Sequence, residues 1–573
     1  MSENNKSLVT ESKSFVKEAL IISVSNFIVK FIGMLYKIPL ATILGESMGV
    51  FNSAYSIYAM LFMISTSGLP VAISKMIAGS AKKGRLRETK KIFKMTLYAF
   101  GLVGIICSVF LFFFAEPLAI WSIHPDSIIA LKVIAPTLFF ICITSAYRGY
   151  FQGLRNMYPT AISQLIEALI KLSVGLGATV WARSMGYSIQ VQVAFAISGL
   201  TLGVFLGMVF LIFYKMISNR IRIKNTSDKA LRYKAIARRL VIIALPVTIT
   251  SSMLYLSHFM DTLVIKKALI GSGVTEETAN LLFSSYTTLA ISISDLLPST
   301  LVYPIAISIL PAVAGALALK KRREAVGYII SSIRISGIIA LPCSLCLFAL
   351  SRPCISLIYG VNWGREIVLP NGNIVMPIDV AAPALSILAL GIFFISLLST
   401  TNALLQAAGR VHYPMYSVGI GVLLLIIGDI TLISIKPIGI FGAPISALLC
   451  YITAFYINIR FLKKAQNIKL PAKRLFLKPL VCSLITGIYC YISYRIFYYI
   501  WGLVFSSNPE SRIASLVILL FTAITAVIFY AFLLLLSKGI SASEVRLLPM
   551  GNRLSGYFIK KGLLKESVVK ANE

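Results

Sequence analysis

Fourteen apolar runs, each long enough to cross a bilayer as a helix, dominate this sequence. They fall at about 19–44, 52–78, 95–115, 128–147, 159–182, 191–214, 239–265, 281–317, 327–350, 380–405, 413–435, 439–461, 476–502 and 512–537. A helix needs roughly 20 mostly apolar residues to span the hydrocarbon core. The 573 residues are 58% apolar and only 13% charged, whereas a soluble domain is nearer about a quarter charged. A soluble enzyme, a disordered chain and a secreted disulfide scaffold are all excluded. The expected fold class is an all-α multi-pass membrane protein with about 14 transmembrane helices. The run at 281–317 is too long for one straight helix, and Pro298, Pro304 and Pro311 are expected to bend it.

The net charge of +33 would suit a nucleic-acid binder, but its placement argues for a membrane face instead. With a cytosolic N-terminus, most of the Lys and Arg fall in inward segments. Examples are Lys82, Lys83, Arg85, Arg87, Lys90 and Lys91, the run from Arg220 to Arg239, and Lys320 to Arg323. Positive charge marks the cytoplasmic side, so both termini are expected in the cytosol and the membrane is expected to be the cell membrane. Residues 1–18 read as a cytosolic tail without a removable signal peptide. Residues 538–573 read as a second tail, in which Met550, Leu554 and Phe558 fall four apart with Arg553, Lys560 and Lys561 beside them. That pattern suits an amphipathic helix on the inner leaflet, and equally a solvated tail.

Two segments echo each other. YFQGLRNMYP at 150–159 and LLQAAGRVHYP at 404–414 share Gln, Gly, Arg and Tyr-Pro in order, and each closes a fourth helix counted from the first and from the seventh. Gly153 and Gly409 suit backbone angles that other residues avoid, and Pro159 and Pro414 suit the first turn of a new helix. A fainter echo links STSGLP, ending at Pro70, with ISILP, ending at Pro311. The chain is expected to hold two halves of six helices, 19–214 and 239–461, joined by a basic cytosolic linker at 215–238. Helices 13 and 14, at 462–537, are appended. Transporters built from repeats place their site at the repeat interface.

Ionisable residues inside the spans cost roughly 2.5–3.5 kcal/mol each on insertion scales and need a reason. The basic ones are Lys30, Lys37, Lys75, Lys132, Lys171, Arg334 and Arg495; the acidic ones are Glu167, Asp261, Asp295 and Asp429. Lys75 and Lys132 lie near helix ends and can snorkel. Glu167 and Lys171 are four apart, which suits a structural ion pair on one helix face or a coupling role. Lys30 and Lys37 are seven apart, so they share a face of the first helix about 10 Å apart along its axis. Neither has an acid three or four residues away, so both are expected to face a cavity, with Asp261 and Asp295 as candidate counter-ions. Arg148 and Arg155, at the inner mouth, suit either anchors or substrate contacts. A cationic cavity implies an anionic substrate, and diphosphate oxygens accept charged hydrogen bonds from ammonium groups. The expected substrate-binding set is Lys30, Lys37, Lys75, Arg148, Asp261 and Asp295. The eight cysteines sit in or beside apolar runs and read as inert thiols, despite the C-x-x-C of Cys343 and Cys346. No nucleotide-binding or metal-ligand spacing occurs, so no cofactor is expected.

At four stretches the sequence resembles a known family. KFIGMLYKIPLATILG at 30–45, GLPVAISKMIAG at 68–79, RGYFQGLRNMYPTAISQLIEALIK at 148–171 and GIFGAPISALLCY at 439–451 resemble the stage V sporulation protein B and MurJ-type branch of the MOP flippase superfamily. The resemblance implies two six-helix bundles in a V plus two further helices. It also implies movement of a lipid-linked cell-wall oligosaccharide, such as lipid II, from the inner to the outer leaflet. Lys30 matches a position where MurJ-type members carry an essential arginine. The second basic position is shifted, with Tyr36 aligning and Lys37 beside it, and no arginine occupies the middle of the second helix. The expected partners are the lipid-linked oligosaccharide, the bilayer and cell-wall synthases; with no nucleotide-binding motif, energy is expected from a Na+ or H+ gradient, the membrane potential or downstream consumption. Two rivals stand. An organic-cation exporter of the same superfamily would want an acidic, aromatic cavity. A membrane glycan transferase or ligase would want catalytic acids or histidines in a sizeable outer loop, where 352–379 offers only Arg352, Arg365, Glu366 and Asp379.

Overall fold

The computed structural model describes residues 24–26, 28–33, 35–66, 68–82, 85–121, 124–154, 156–218, 232–303, 313, 316–317, 321–361, 363–369, 372–468, 470, 472–505 and 511–540. The expected tail at 1–18, all but 538–540 of the expected tail at 538–573, most of the linker, and Arg155, Pro304 and Pro311 lie outside these residues. Among the described residues eleven helices are long and apolar enough to cross a membrane. The sequence spans beginning at 52, 239 and 281 are helical as well: the first as two helices, Met48–Thr66 and Gly68–Lys82, the second as one, Tyr233–Gly271, and the third with π-turns. The chain divides into two compact units, at Ala268 and Leu269. The first unit therefore takes in the whole of the seventh span, 239–265, which the sequence-based halves assign to the second.

The first unit holds α1 (Val24–Leu44), α2 (Met48–Thr66), α3 (Gly68–Lys82), α4 (Leu86–Phe113), the short α5 (Ala115–Trp121), α6 (Ile128–Gly153), α7 (Tyr158–Ser184), α8 (Ile189–Ser218) and α9 (Tyr233–Gly271). Its core gathers Ile73, Ile77, Ile92, Phe100, Cys142 and Leu211 from α3, α4, α6 and α8. The second unit holds α10 (276–302), α11 (Arg322–Ala349), the short α12 (Ser351–Tyr359), α13 (Pro377–Ala407), α14 (His412–Ile433), α15 (Gly442–Gln466), α16 (Ala472–Phe505) and α17 (Arg512–Leu536). Thr275 caps α10 by accepting the Thr278 N–H, with Glu276 and Glu277 in the first turn, where acids complement the helix dipole. A widened π-turn begins at Pro298, so this proline interrupts α10 as expected.

The two units repeat one packing plan. In the first, α4 packs on α6, α6 on α8 and α7 on α8; in the second, α11 packs on α13, α13 on α15 and α14 on α15. The echo segments occupy equivalent corners, α6 to α7 and α13 to α14, with Pro159 and Pro414 in the opening turns. Their glycines do different work. Gly409 has φ +75°, as expected of a turn glycine. Gly153 stays helical, and a methyl group there would meet Ile77 Cβ at 2.8 Å, so this glycine serves close packing on α3. The second unit also carries an insertion. Where α5 and α6 are joined by a short turn, α12 and α13 are separated by a segment with a two-stranded hairpin, β1 (Ile367–Val368) and β2 (Ile374–Val375).

Packing polarity matches a lipid environment. On α17, Ile513 and Val527 are 74% and 69% exposed, while Ser515 and Thr522 are buried. Small and polar residues face neighbouring helices and bulky apolar ones face outward, the arrangement of membrane bundles. Hydrogen bonds reinforce the seams. Asn458 on α15 donates to Asn402 Oδ1 (2.6 Å) and Thr401 Oγ1 (3.2 Å) on α13, and accepts from Ser417 on α14 (2.5 Å). The appended α16 and α17 dock on α11, where Tyr530 donates to the Ile338 carbonyl (2.8 Å). Intramembrane Arg334 has a structural task, donating to the Gly539 carbonyl (2.7 Å) just beyond α17, as cations do at helix C-termini.

Candidate functional site

The first unit concentrates the intramembrane cations. On α1, Lys30, Gly33 and Lys37 share one face, and the amine of Lys171, from α7, lodges against it: a methyl group at Gly33 would come within 3.8 Å of Lys171 Nζ. Lys171 thus reaches α1 between Lys30 and Lys37, and it lies within electrostatic reach of both and of Glu167. Its Nζ stands 5.1 Å from the Tyr36 ring centroid, a cation–π contact. Tyr36 is fixed in turn, donating to the Ala196 carbonyl on α8 (2.8 Å). Its ring enters the space left by Gly175, where a methyl group would meet Tyr36 Cε2 at 3.0 Å.

A π-turn, Lys171–Gly175, begins at this lysine inside α7. Such widened turns cluster at functional sites. The near partner of Glu167 is not Lys171, the residue that the four-residue spacing suggests. Its carboxylate lies 3.0 Å from Arg148 Nη2 on α6, while Arg148 Nε donates to the Ser163 hydroxyl (3.0 Å). Lys171 keeps the regular register, its N–H bonded to the Glu167 carbonyl, but its ammonium goes to the Tyr36 ring. Glu167 and Arg148 are both largely buried, with side chains 18% and 12% exposed.

Two further features support this arrangement. Gly199, Gly203 and Gly207 on α8 form a seam against α7. Methyl groups there would meet Gly175 Cα at 2.4 Å, the Glu167 carbonyl at 2.7 Å and Glu167 Cγ at 3.2 Å. An aromatic row, Tyr36–Phe51–Tyr55–Tyr58–Phe62, runs from α1 along α2 with successive centroids 5.7–6.4 Å apart, and Tyr58 is within electrostatic reach of Glu167. Sequence reasoning missed both. The four-residue glycine spacing and the 51, 55, 58, 62 spacing were the signals that could have found them.

The remaining candidates are placed as follows. Lys30 is exposed and Lys37 half-buried. Lys75 is exposed on α3, and among the described residues no hydrogen bond or ion pair ties it to the cluster. Asp261 is buried on α9, its Oδ2 4.0 Å from His258 Nδ1. Asp295 is exposed on α10, between the π-turns Tyr286–Ile291 and Pro298–Val302 of the second unit. The structure thus brings together Lys30, Lys37, Lys171, Glu167 and Arg148.

The chain is a multi-pass membrane protein of the MOP superfamily of transporters. The solved lipid II flippase MurJ, in an inward closed conformation, superposes with a TM-score of 0.62 at 14% identity, over 90% of this chain and 99% of that one. That likeness shows the fold. The chain belongs to the polysaccharide biosynthesis protein family, whose family model matches residues 15–317; a MatE family model matches residues 246–431. Stage V sporulation protein B of Bacillus subtilis (strain 168) is 27% identical over 313 residues, which are 54% of this chain and 60% of that protein's length. Lipid II flippase MurJ of the same organism is 23% identical over 568 residues, 96% of this chain and 99% of that one.

Proposed function

We propose that this transporter is a flippase that moves a lipid-linked cell-wall oligosaccharide, an undecaprenyl-diphosphate glycan such as lipid II, from the inner to the outer leaflet of the cell membrane. The observation that carries the reading is the lodging of the Lys171 ammonium against Gly33, between Lys30 and Lys37. Three ammonium groups gather there, and the nearby acid, Glu167, already faces Arg148. A diphosphate suits such a basic site, because its oxygens accept charge-assisted hydrogen bonds from ammonium groups. The resemblance to MurJ over nearly the whole chain supports the lipid-linked cargo.

Lys75, Arg148, Asp261 and Asp295 are proposed as further substrate-binding residues. Both termini are taken as cytosolic, with six-helix halves at 19–214 and 239–461, and cell-wall synthases are taken to consume the delivered cargo. An inside-negative potential assists an anion moving outward by roughly 2.3 kcal/mol per charge per 100 mV. The MatE match favours a second reading, an organic-cation exporter, but the basic cluster disfavours a cationic cargo. The test is a leaflet-resolved lipid II assay in cells depleted of this protein and lacking any other flippase. Accumulation confined to the inner leaflet is expected; normal outward movement refutes the reading.

A further inference from the structure

We infer that Glu167 is a positioning residue that occupies Arg148 while the cation cluster is empty and yields it to the cargo's diphosphate on binding. This rests on the reading of the cluster as a diphosphate site. Glu167 sits centrally on a stripe of α7, Ser163–Glu167–Lys171, with residues four apart on one face. Arg148 is held at both ends of its guanidinium by that stripe, with Nε on Ser163 and Nη2 3.0 Å from Glu167. Behind the carboxylate lies the glycine seam of α8: a methyl group at Gly207 would lie 3.2 Å from Glu167 Cγ and 3.5 Å from Oε1. The acid is thus wedged between a glycine seam and two cations, Arg148 in contact and Lys171 within electrostatic reach.

That geometry makes Glu167 a competitor of the cargo. An arriving diphosphate must draw Arg148 from Glu167, and a departing one hands it back. A transporter needs cargo to leave as well as bind, and an internal anion that replaces the diphosphate on Arg148 lowers the cost of release. The Arg148–Glu167 contact is suited to exchange. It is a close charge pair, whereas the aligned hydrogen bond of the guanidinium goes to Ser163.

The test uses the full-length protein in lipid nanodiscs and farnesyl diphosphate as the probe, with farnesyl monophosphate for comparison. Glu167→Gln is expected to bind the diphosphate roughly tenfold more tightly, about the worth of one charge-assisted hydrogen bond, and to turn over more slowly in a leaflet assay. Arg148→Gln is expected to bind more weakly. The double variant should bind like Arg148→Gln alone, because Glu167 acts through Arg148. Glu167→Asp, which keeps the charge but shortens its reach, should fall between wild type and Glu167→Gln and serves if the latter does not fold. Unchanged or weaker binding by folded Glu167→Gln or Glu167→Asp overturns the inference while leaving the diphosphate site standing. Wild-type protein that binds neither probe overturns both.

Discussion

Substituting Gly199 by alanine should dislodge the π-turn that carries Lys171. The new β-carbon would lie 2.4 Å from both the Cα and the N of Gly175 and 3.2 Å from the Lys171 carbonyl. Carbon atoms in contact prefer about 3.5–4.0 Å, so α8 must retreat by about 1 Å, and the obstruction is backbone that cannot rotate away. Overpacking of this kind costs about 1–3 kcal/mol, and about 1 kcal/mol lowers the melting temperature by 2–4 °C in a domain of 150–250 residues. Gly177→Ala is the control, since on the same α7 a methyl group there meets nothing within 4 Å. Thermal unfolding of the detergent-purified protein should show a loss of several degrees for Gly199→Ala and none for Gly177→Ala. Gly203→Ala, at 2.7 Å from a backbone carbonyl, should be intermediate. Gly207→Ala, which meets Glu167 Cγ and the Ser163 carbonyl at no less than 3.2 Å, should be mildest. Equal melting temperatures for Gly199→Ala and Gly177→Ala would refute the reasoning, because the seam would then not be a close backbone contact.

Three further outcomes are expected. The double variant Lys30→Gln, Lys37→Gln should insert and accumulate normally, since removing intramembrane charge lowers the insertion cost, yet fail to support growth as the sole flippase; Lys30→Arg should retain much of the activity. Single cysteines at Lys224 and Lys469 in a cysteine-free background should resist an impermeant thiol reagent in intact cells while one at Ser507 reacts, and labelling at Lys224 would reverse the proposed orientation. Burial, reinforced by Lys266, lowers the pKa of His124, between α5 and α6, to about 3; the unfolded chain binds that proton first, so stability is lost as pH falls from about 6.5 toward 3. His124→Gln should flatten this acid loss in melting temperature, and parallel pH curves for parent and variant would rule the histidine out.

The helical architecture was legible because hydropathy and charge act over whole spans. The corner motifs were legible because Tyr-Pro opens a helix in both units. Lys30 and Lys37 were singled out by a local rule, seven residues on one face, and α1 preserves that face. On α7 spacing alone did not decide the contact. Four-residue spacing paired Glu167 with Lys171, but a partner on another helix, Arg148, lies nearer. Spacing within one helix carries no trace of it. Gly153 misled for a related reason: the sequence shows a residue permissive in backbone angle, whereas the fold uses its missing side chain against Ile77. The glycine seam at 199, 203 and 207 did have a visible period, and close approach of membrane helices at small residues accounts for it.

The widened turn at Lys171–Gly175 bears on how sequences of this family should be matched to one another. A π-turn accommodates one residue more than a regular helix of the same path, and each residue of a regular helix turns its side chain by about 100°. A relative whose fifth span is uninterrupted would have to be aligned with a one-residue gap inside 171–175. Without that gap, every position on one side of the turn would be compared with a residue pointing a quarter-turn or more away. Matched that way, the stripe carrying Ser163 and Glu167 and the stretch beyond Gly175 would not both be in register. Roles assigned by alignment across this span would then be transferred to the wrong face.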